Sequence, residues 1–394
     1  MRKIGVDIIQ PMVPPYRVAL FEKLDRDPEL SVSLQCAPEW PRGQRSIPLS
    51  MTNYFPDRIT VRIAGTSLLW QRGLRLICAK GPGDVLVICG DMHYLSNLRL
   101  IFLAKSKGIG IVWWGHHRSA TSTRLKIAVR LALARRVSDC VLTYTKTGIE
   151  YLAARGFDRS RLFATNNTID LGPVEKAKAE WPADRLNQFQ RREGIENKNI
   201  LLFCSVLNPK TQLDLAIRAL QLLSDPSYEL VVIGNGPMMD EYKSVAVKCG
   251  VSDRIRWLGE IRDERRLAPW FLSAKAFVYP GVIGLSLIHA FAYGLPVITH
   301  GNPDHHMPEF EAATPGKNSL TFKENDPYSL ARAICTMLSN EARRIEMGRA
   351  AYETVHENYT MEKMVANFKA CLIYCSELSI RKSKSDSGRH RGLK

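Results

Sequence analysis

Short apolar runs alternate with amphipathic stretches along almost the whole chain. The apolar runs predict buried β-strands, and they fall at residues 3–10, 30–36, 84–89, 110–114, 139–143, 162–165, 199–205, 228–233, 255–258, 276–279 and 297–299. Between them, apolar residues recur with the spacing of one helix face, as in residues 16–24 and 213–223. Strands that alternate with helices indicate parallel sheets with crossover helices. We therefore predict an α/β fold with two Rossmann-like halves.

A polar and charged segment separates the two series of strands. We predict a first domain over residues 1–170, a linker with one helix over 171–198, and a second domain over 199–355. Residues 356–380 are predicted to be helical. Residues 381–394 carry six basic residues against one acidic residue, which predicts a disordered tail.

Residues 279–311, YPGVIGLSLIHAFAYGLPVITHGNPDHHMPEFE, contain the clearest sign of chemistry. Their pattern predicts a strand, a tight loop, a short buried helix and another strand. The first helical amides, around Gly284, Leu285 and Ser286, have no partner within the helix and carry the positive end of its dipole. A phosphate is the natural ligand of such a helix start. His289 lies about one turn further on, where a buried histidine is often a satisfied core residue.

This segment resembles the donor-site signature of retaining GT-B glycosyltransferases of the family 4 type. The positions that match are Gly284, Leu285, Ala290, Ala292, Gly294, Pro296 and Val297. The resemblance implies two Rossmann-like domains that face each other across a cleft, with the last helix crossing back to the first domain. It also implies transfer of a sugar from a UDP- or GDP-linked donor to an acceptor hydroxyl, with retention of configuration and without a metal or cofactor.

Four positions depart from the family pattern. Gly281 and His289 stand where the family has the glutamates that hold the sugar and the ribose, and a histidine can still hydrogen-bond a ribose hydroxyl. Val206 and Thr211 stand where the family has the arginine and lysine that neutralise the diphosphate. Lys210 is the candidate substitute for that lysine.

Three further positions are assigned to the donor side by the resemblance. Gly236 belongs to a G-x-G-P turn after a strand, although a lone G-x-G is a weak signal by itself. Ile261 falls where backbone groups of the family meet the nucleotide base. Glu309 belongs to a Pro-Glu pair that resembles the family pair beside the donor.

The first half carries candidate residues directly after two of its strands. His116 and His117 follow the strand at 110–114, at the edge of the sheet where ligands bind. In the family a histidine here faces the transferred sugar, and His116 fits better than His117; a surface histidine pair is the alternative. Arg17 follows the first strand and could contact an anionic group on the acceptor side, or it could simply be solvated.

The net charge of the chain indicates which classes of molecule it could bind. The protein has 394 residues, 45% hydrophobic, with a formal net charge of +16, which calls for an anionic partner. No nucleic-acid recognition motif accompanies the charge, so we predict no nucleic-acid partner. The basic tail and the basic amphipathic stretch at 123–137 could rest on an anionic membrane. A solvated tail and an inward-packed helix are the alternatives.

The remaining sequence features predict a cytoplasmic protein. No apolar run approaches the ~20 residues that span a bilayer, and the first apolar run is too short for a signal peptide. The nine cysteines lack metal-site spacing, so no metal is predicted. The family resemblance implies a glycosyltransferase of bacterial surface-polysaccharide or glycolipid assembly, with a glycan or lipid-linked sugar as acceptor. The alternative is a silent homologue that binds nucleotide sugars or acts as a scaffold.

Overall fold

Two units, each built on its own parallel sheet, make up the protein. The computed structural model describes residues 2–39, 45–55, 58–63, 66–91, 93–115 and 123–391. Unit 1 consists of residues 1–166 and 361–394, and unit 2 of residues 167–360. The division thus falls four residues before the predicted end of the first domain, and the C-terminal segment groups with unit 1.

Most strands fall close to the predicted apolar runs. The strands are β1 (Ile4–Ile9), β2 (Leu30–Cys36), β3 (Thr52–Tyr54), β4 (Arg58–Ile63), β5 (Thr66–Gln71), β6 (Val85–Cys89), β7 (Gly110–Trp114), β8 (Cys140–Thr143), β9 (Leu162–Ala164), β10 (Asn199–Cys204), β11 (Tyr228–Ile233), β12 (Ile255–Gly259), β13 (Ala276–Val278), β14 (Val297–His300) and β15 (Ser319–Phe322). Among the described residues, β3, β4, β5 and β15 are the exceptions, since they fall outside those runs.

The helices connect these strands or follow the last of them. They are α1 (Val18–Asp25), α2 (Ser96–Ser106), α3 (Arg124–Val137), α4 (Lys146–Ala153), α5 (Gly172–Ala179), α6 (Ala183–Glu193), α7 (Leu213–Leu222), α8 (Met239–Lys248), α9 (Glu264–Ser273), α10 (Leu285–Ala292), α11 (Pro327–Leu338), α12 (Glu341–Asn358) and α13 (Met361–Arg391).

Unit 1 has a seven-stranded parallel sheet in the order β3-β2-β1-β6-β7-β8-β9, beside a separate antiparallel pair of β4 and β5. One hydrophobic cluster joins the sheet to α1 and α13, and another joins it to α2, α3 and α4. Because both faces are covered, the central strands are buried along their length and read as continuous apolar runs.

Unit 2 has a six-stranded parallel sheet in the order β12-β11-β10-β13-β14-β15. One large hydrophobic cluster contains residues of its strands and of its helices. The predicted linker is part of this unit and forms two helices rather than one. Val174 of α5 and Phe189 of α6 belong to the cluster, and Gly194, with φ 65°, ends α6. Their apolar residues were too sparse for the sequence to predict a packed pair.

Two other regions differ from the sequence predictions. Residues 37–57, which lie outside the predicted strands and helices, contain the short edge strand β3 in their described part. The tail predicted to be disordered from Arg381 continues as α13 through Arg391. Within it, Lys382 forms an ion pair with Asp139, the residue directly before β8. Sequence charge alone does not reveal such a partner. Among the described residues, no helix is long and apolar enough to cross a bilayer.

Candidate functional site

The start of α10 lies at the carboxyl edge of the unit 2 sheet, where parallel sheets bind ligands. β13 ends at Val278, and the loop that follows leads to Gly284, which precedes the helix without a side-chain cap. The amide of Leu287 donates to the carbonyl of Gly284 at 2.9 Å. In the described part of the chain, no acceptor is recorded for the amides of Leu285 and Ser286, and both residues are half-buried. The predicted helix start with open amides is therefore present, and its binding of a phosphate stays a prediction.

The loop after β10 is hydrogen-bonded to the loop that leads into α10. The carbonyl of Lys210 accepts from the amide of Val282 at 2.9 Å, and the carbonyl of Thr211 accepts from the amide of Gly281 at 3.1 Å. A Cβ at position 281 would overlap the Lys210 carbonyl oxygen. This close approach explains why glycine, and not the family glutamate, stands at position 281.

Lys210 and Thr211 are neighbours with opposite exposure. Lys210 is exposed, whereas Thr211 is 2% exposed and its hydroxyl donates to the carbonyl of Asn208 at 2.7 Å. Thr211 therefore cannot take the role of the family lysine, while Lys210 is free of any recorded ion pair with the described residues.

The turn after β11 packs directly against the loop after β10. A Cβ on Gly236 would overlap the carbonyl of Leu207, and the amide of Leu207 donates to the carbonyl of Asn235 at 2.9 Å. The glycine at 236 is therefore explained by loop packing within the protein. Its assignment to donor binding remains a prediction.

A buried carboxylate lies beside the start of α10. Glu309 is 4% exposed, and its Oε1 accepts a hydrogen bond from the side-chain amide of Asn167. Its Oε2 lies 3.4 Å from the position that a Cβ of Gly284 would occupy. Glu309 thus places a carboxyl group near the start of α10, and its predicted role beside the donor stays a prediction.

His306 fixes the segment that carries Glu309. Its Nδ1 accepts from the amide of Ile283 at 3.2 Å, and its Nε2 donates to the carbonyl of His300 at 2.9 Å. The ring stacks between those of His300 and Phe310, with centroid distances of 3.7 and 4.1 Å. Burial lowers the pKa of His306 to about 4, so the ring is neutral at pH 7 and can accept the Ile283 hydrogen bond.

His289 pairs with a carboxylate that the sequence analysis missed. Its Nε2 lies 2.7 Å from Oε1 of Glu264, the first residue of α9, and the hydroxyl of Tyr293 donates to the same oxygen at 2.6 Å. Burial alone would raise the pKa of Glu264, but the hydrogen bonds from His289 and Tyr293 lower it below its ordinary value. Glu264 therefore stays ionised at neutral pH. Glu264 lies three residues after Ile261, and Ile261 is half-buried just beyond the end of β12.

His289 is neither a fully buried core residue nor a free ribose ligand. The histidine is hydrogen-bonded, as a satisfied core residue would be, but its side chain is 18% exposed and that of Glu264 is 22% exposed. The pair is therefore partly open to solvent. The only sequence signal for it was an acidic residue at the first position of a helix, which is common at helix starts for other reasons.

Arg17 in unit 1 is buried rather than solvated. It is 7% exposed, its Nη2 donates to the hydroxyl of Tyr144 at 2.7 Å, and its Cζ lies 4.3 Å from the centroid of the Trp114 ring. Nη1 has no hydrogen-bond partner among the described residues. Burial alone would lower the pKa of Arg17, but Tyr144 and Tyr16 raise it, so the side chain is charged.

Arg17 sits near the carboxyl ends of neighbouring strands, because Trp114 is the last residue of β7 and Tyr144 follows β8. His116 and His117 fall within residues 116–122, which lie outside the described residues. Their predicted roles therefore stay predictions. In the described part of the chain, no group of three or more His, Cys, Asp or Glu residues is arranged to hold a metal ion.

The comparison with known families agrees with the geometry of unit 2. Residues 184–354 match the family model described as glycosyl transferases group 1. We refer to this matched stretch as the group 1 domain. This domain contains the start of α10, the loops after β10 and β11, and the Glu264–His289 pair.

Two bacterial proteins are similar to this chain over a stretch longer than the group 1 domain. It is 25% identical to the putative glycosyltransferase EpsD of Bacillus subtilis (strain 168) over 233 residues, 56% of this chain and 59% of that protein. It is 24% identical over 234 residues to the lipopolysaccharide core biosynthesis glycosyltransferase LpsE of Rhizobium meliloti (strain 1021), 58% of this chain and 62% of that protein. The chain thus spans less than two thirds of the length of these relatives.

A solved structure covers both units. HepE of Anabaena in complex with UDP superposes with a TM-score of 0.68 at 12% identity, over 94% of this chain and 99% of that chain. At this identity the likeness concerns the fold. The fold prediction is confirmed: the chain has the GT-B fold with two parallel sheets.

Proposed function

We propose that the protein transfers a sugar from a nucleoside-diphosphate sugar to an acceptor hydroxyl. The observation that carries the proposal is the start of α10, where the amides of Leu285 and Ser286 open at the carboxyl edge of a group 1 domain. Such amides bind phosphate oxygens because they have no partner within the helix and lie at the positive end of its dipole. HepE, which shares the fold, binds UDP.

In the proposed donor complex, the diphosphate contacts the amides of Leu285 and Ser286. Lys210 supplies the positive charge that the departures at positions 206 and 211 remove, since its loop is hydrogen-bonded to residues 281 and 282. Gly236 and Ile261 line the side of the nucleotide. The two amides and the Lys210 ammonium stabilise the negative charge that develops on the departing diphosphate, which lowers the barrier to breaking the sugar–phosphate bond.

The two missing family glutamates are replaced by carboxylates from other elements in this proposal. Glu309, beside Gly284, accepts hydrogen bonds from hydroxyls of the donor sugar in place of a glutamate at 281. Glu264 and His289 together bind the ribose hydroxyls in place of a glutamate at 289. A charge-assisted hydrogen bond from a hydroxyl to a carboxylate is the same interaction wherever the carboxylate begins in the sequence.

The transfer itself would proceed with retention and without a metal. The bond between the anomeric carbon and the diphosphate oxygen breaks, the acceptor oxygen bonds to that carbon, and the acceptor loses its proton. His116 would orient the sugar or assist this proton transfer, and His117 would lie on the acceptor side. Arg17, a buried cation with one unpartnered nitrogen, would bind an anionic group of the acceptor.

The setting we propose is the assembly of a bacterial surface polysaccharide or glycolipid, at the cytoplasmic face of the membrane. The relatives EpsD and LpsE support this, the second because it is a lipopolysaccharide core glycosyltransferase. The acceptor would be a glycan or a lipid-linked sugar.

A panel of UDP- and GDP-linked sugars tests the proposal in two stages. Thermal unfolding should rise with one donor, since a ligand at about 100 times its dissociation constant adds roughly 2.7 kcal/mol to stability. That donor should then be hydrolysed slowly or transferred to a glycan acceptor. Binding without any turnover would support the silent binding protein instead, and no binding by any donor would refute both.

A further inference from the structure

Four large apolar side chains project from α2 and α3 of unit 1 into solvent. On α2, Leu98 is 47% exposed and Phe102 is 73% exposed; on α3, Leu125 is 73% exposed and Val129 is 48% exposed. Each pair is four residues apart, so its members lie one turn apart on the same helix face. We call these four residues the α2/α3 surface.

The two helices lie side by side on one face of the unit 1 sheet. Residues of both belong to the same hydrophobic cluster, and Nζ of Lys105 donates to the carbonyl of Arg136 at 3.1 Å. Both helices connect parallel strands, so they run in the same direction. Leu98 precedes Lys105 by seven residues and Val129 precedes Arg136 by seven, which places them at a similar height along the two helices.

The segment of the chain that carries this surface is strongly basic. Residues 92–138 contain nine Lys or Arg and no Asp or Glu. Six of these basic residues are exposed, and none of the six has a carboxylate partner among the described residues; they are Arg99, Lys105, Lys107, Lys126, Arg135 and Arg136.

We propose that the α2/α3 surface docks on an anionic lipid bilayer. The aliphatic and aromatic side chains would enter the boundary between headgroups and acyl chains, and the basic side chains around them would contact lipid phosphates. An extended nucleic acid would use the basic residues but would leave exposed leucine and valine side chains in water, so the apolar content favours lipid. This proposal does not depend on the donor site in unit 2.

Vesicle co-sedimentation of the full chain tests the proposal. The protein should bind vesicles of phosphatidylcholine mixed with phosphatidylglycerol, bind poorly to phosphatidylcholine alone, and bind less at high salt. The double variant Phe102→Ser with Leu125→Ser should lower the partition coefficient about tenfold, because two exposed apolar groups no longer enter the bilayer. Lys126→Glu should lower it about fivefold or more.

The matched controls are on α8 in unit 2. Val247 is 70% exposed, and Lys243 is exposed on the same helix. Val247→Ser and Lys243→Glu make the same chemical changes outside the proposed surface and should leave vesicle binding unchanged. Thermal unfolding of all variants should match the native protein, since the changed side chains are exposed.

Three outcomes would overturn the proposal. The first is an absence of binding to the anionic vesicles. The second is an equal loss of binding in the α8 control variants, which would show an effect of net charge or solubility only. The third is binding of duplex DNA that the double serine variant loses while it keeps its affinity for vesicles, which would assign the surface to nucleic acid.

Discussion

Ser286→Pro tests the central physical claim about the start of α10. Proline has no amide hydrogen, so the variant removes one of the two open donors that we propose for the diphosphate. Position 286 is the second of the helix, where the amide has no intrahelical acceptor, and the substitution therefore removes no helix hydrogen bond. The protein itself has proline at the second position of α5, Pro173.

The expected loss can be estimated from the single interaction removed. A hydrogen bond to a charged group contributes roughly 1.5–3 kcal/mol. If the Ser286 amide donates to a phosphate oxygen, its removal should raise the dissociation constant about 10- to 150-fold. Proline also restricts the backbone of Leu285, so we expect a modest fall in thermal stability without ligand.

Calorimetric titration with the nucleoside diphosphate selected by the donor panel measures this loss. Ser286→Ala is the matched control, because it removes the hydroxyl but keeps the amide, and it should bind almost as the native protein does. Binding of the corresponding nucleoside, which lacks phosphate, should be equal in all three proteins. A dissociation constant for Ser286→Pro within about twofold of the alanine variant would place the diphosphate elsewhere.

Three other substitutions test the surroundings of this site and the stability of unit 2. Glu264→Gln should raise the dissociation constant of the nucleoside diphosphate about tenfold and that of its 2′-deoxy analogue much less, because the carboxylate binds the ribose; equal losses in calorimetry would exclude that role. His306→Phe keeps the ring stack but leaves the Ile283 amide without its acceptor, so denaturant unfolding should show a loss of roughly 1–3 kcal/mol, and an unchanged midpoint would mean that another acceptor replaces it. Burial alone would raise the pKa of Glu229, but Arg256 and Lys198 lower it below its ordinary value. Glu229→Gln should therefore destabilise the protein by its full amount above about pH 4.5, and this destabilisation should disappear as the pH falls through the lowered pKa. A difference between the two unfolding curves that persists at about pH 2 would contradict this assignment.

The sequence predicted most of the regular structure because the strands are buried on both faces. Such strands are short apolar runs with sharp ends, and the bounds of β2, β7 and β11 match the prediction to the residue. The prediction failed where burial is one-sided or partial. The edge strand β3 and the pair of β4 and β5 were not predicted. The helical continuation of α13 beyond Arg381 was not predicted either, because Lys382 forms an ion pair with Asp139, which is 243 residues away in the sequence.

Part of the candidate site could also be predicted from the sequence, and part could not. The start of α10 could be predicted because its loop, its helix and its glycine and proline stop signals are contiguous. Glu264 and His306 could not be predicted, because their significance lies in a partner 25 residues away for Glu264 and in a backbone amide 23 residues away for His306. No periodicity or spacing marks a contact of that kind.

Two of the four departures from the family pattern, Thr211 and Gly281, are physically linked. The carbonyls of Lys210 and Thr211 approach residues 281 and 282 so closely that position 281 has no room for a side chain. The same approach buries Thr211 and leaves Lys210 as the exposed cation of that loop. The close packing of the loop after β10 against residues 281 and 282 thus connects the departures at 211 and 281. Restoring glutamate at 281 alone should therefore disrupt the loop rather than rebuild a donor contact, and we expect Gly281→Glu to lower both stability and nucleotide binding.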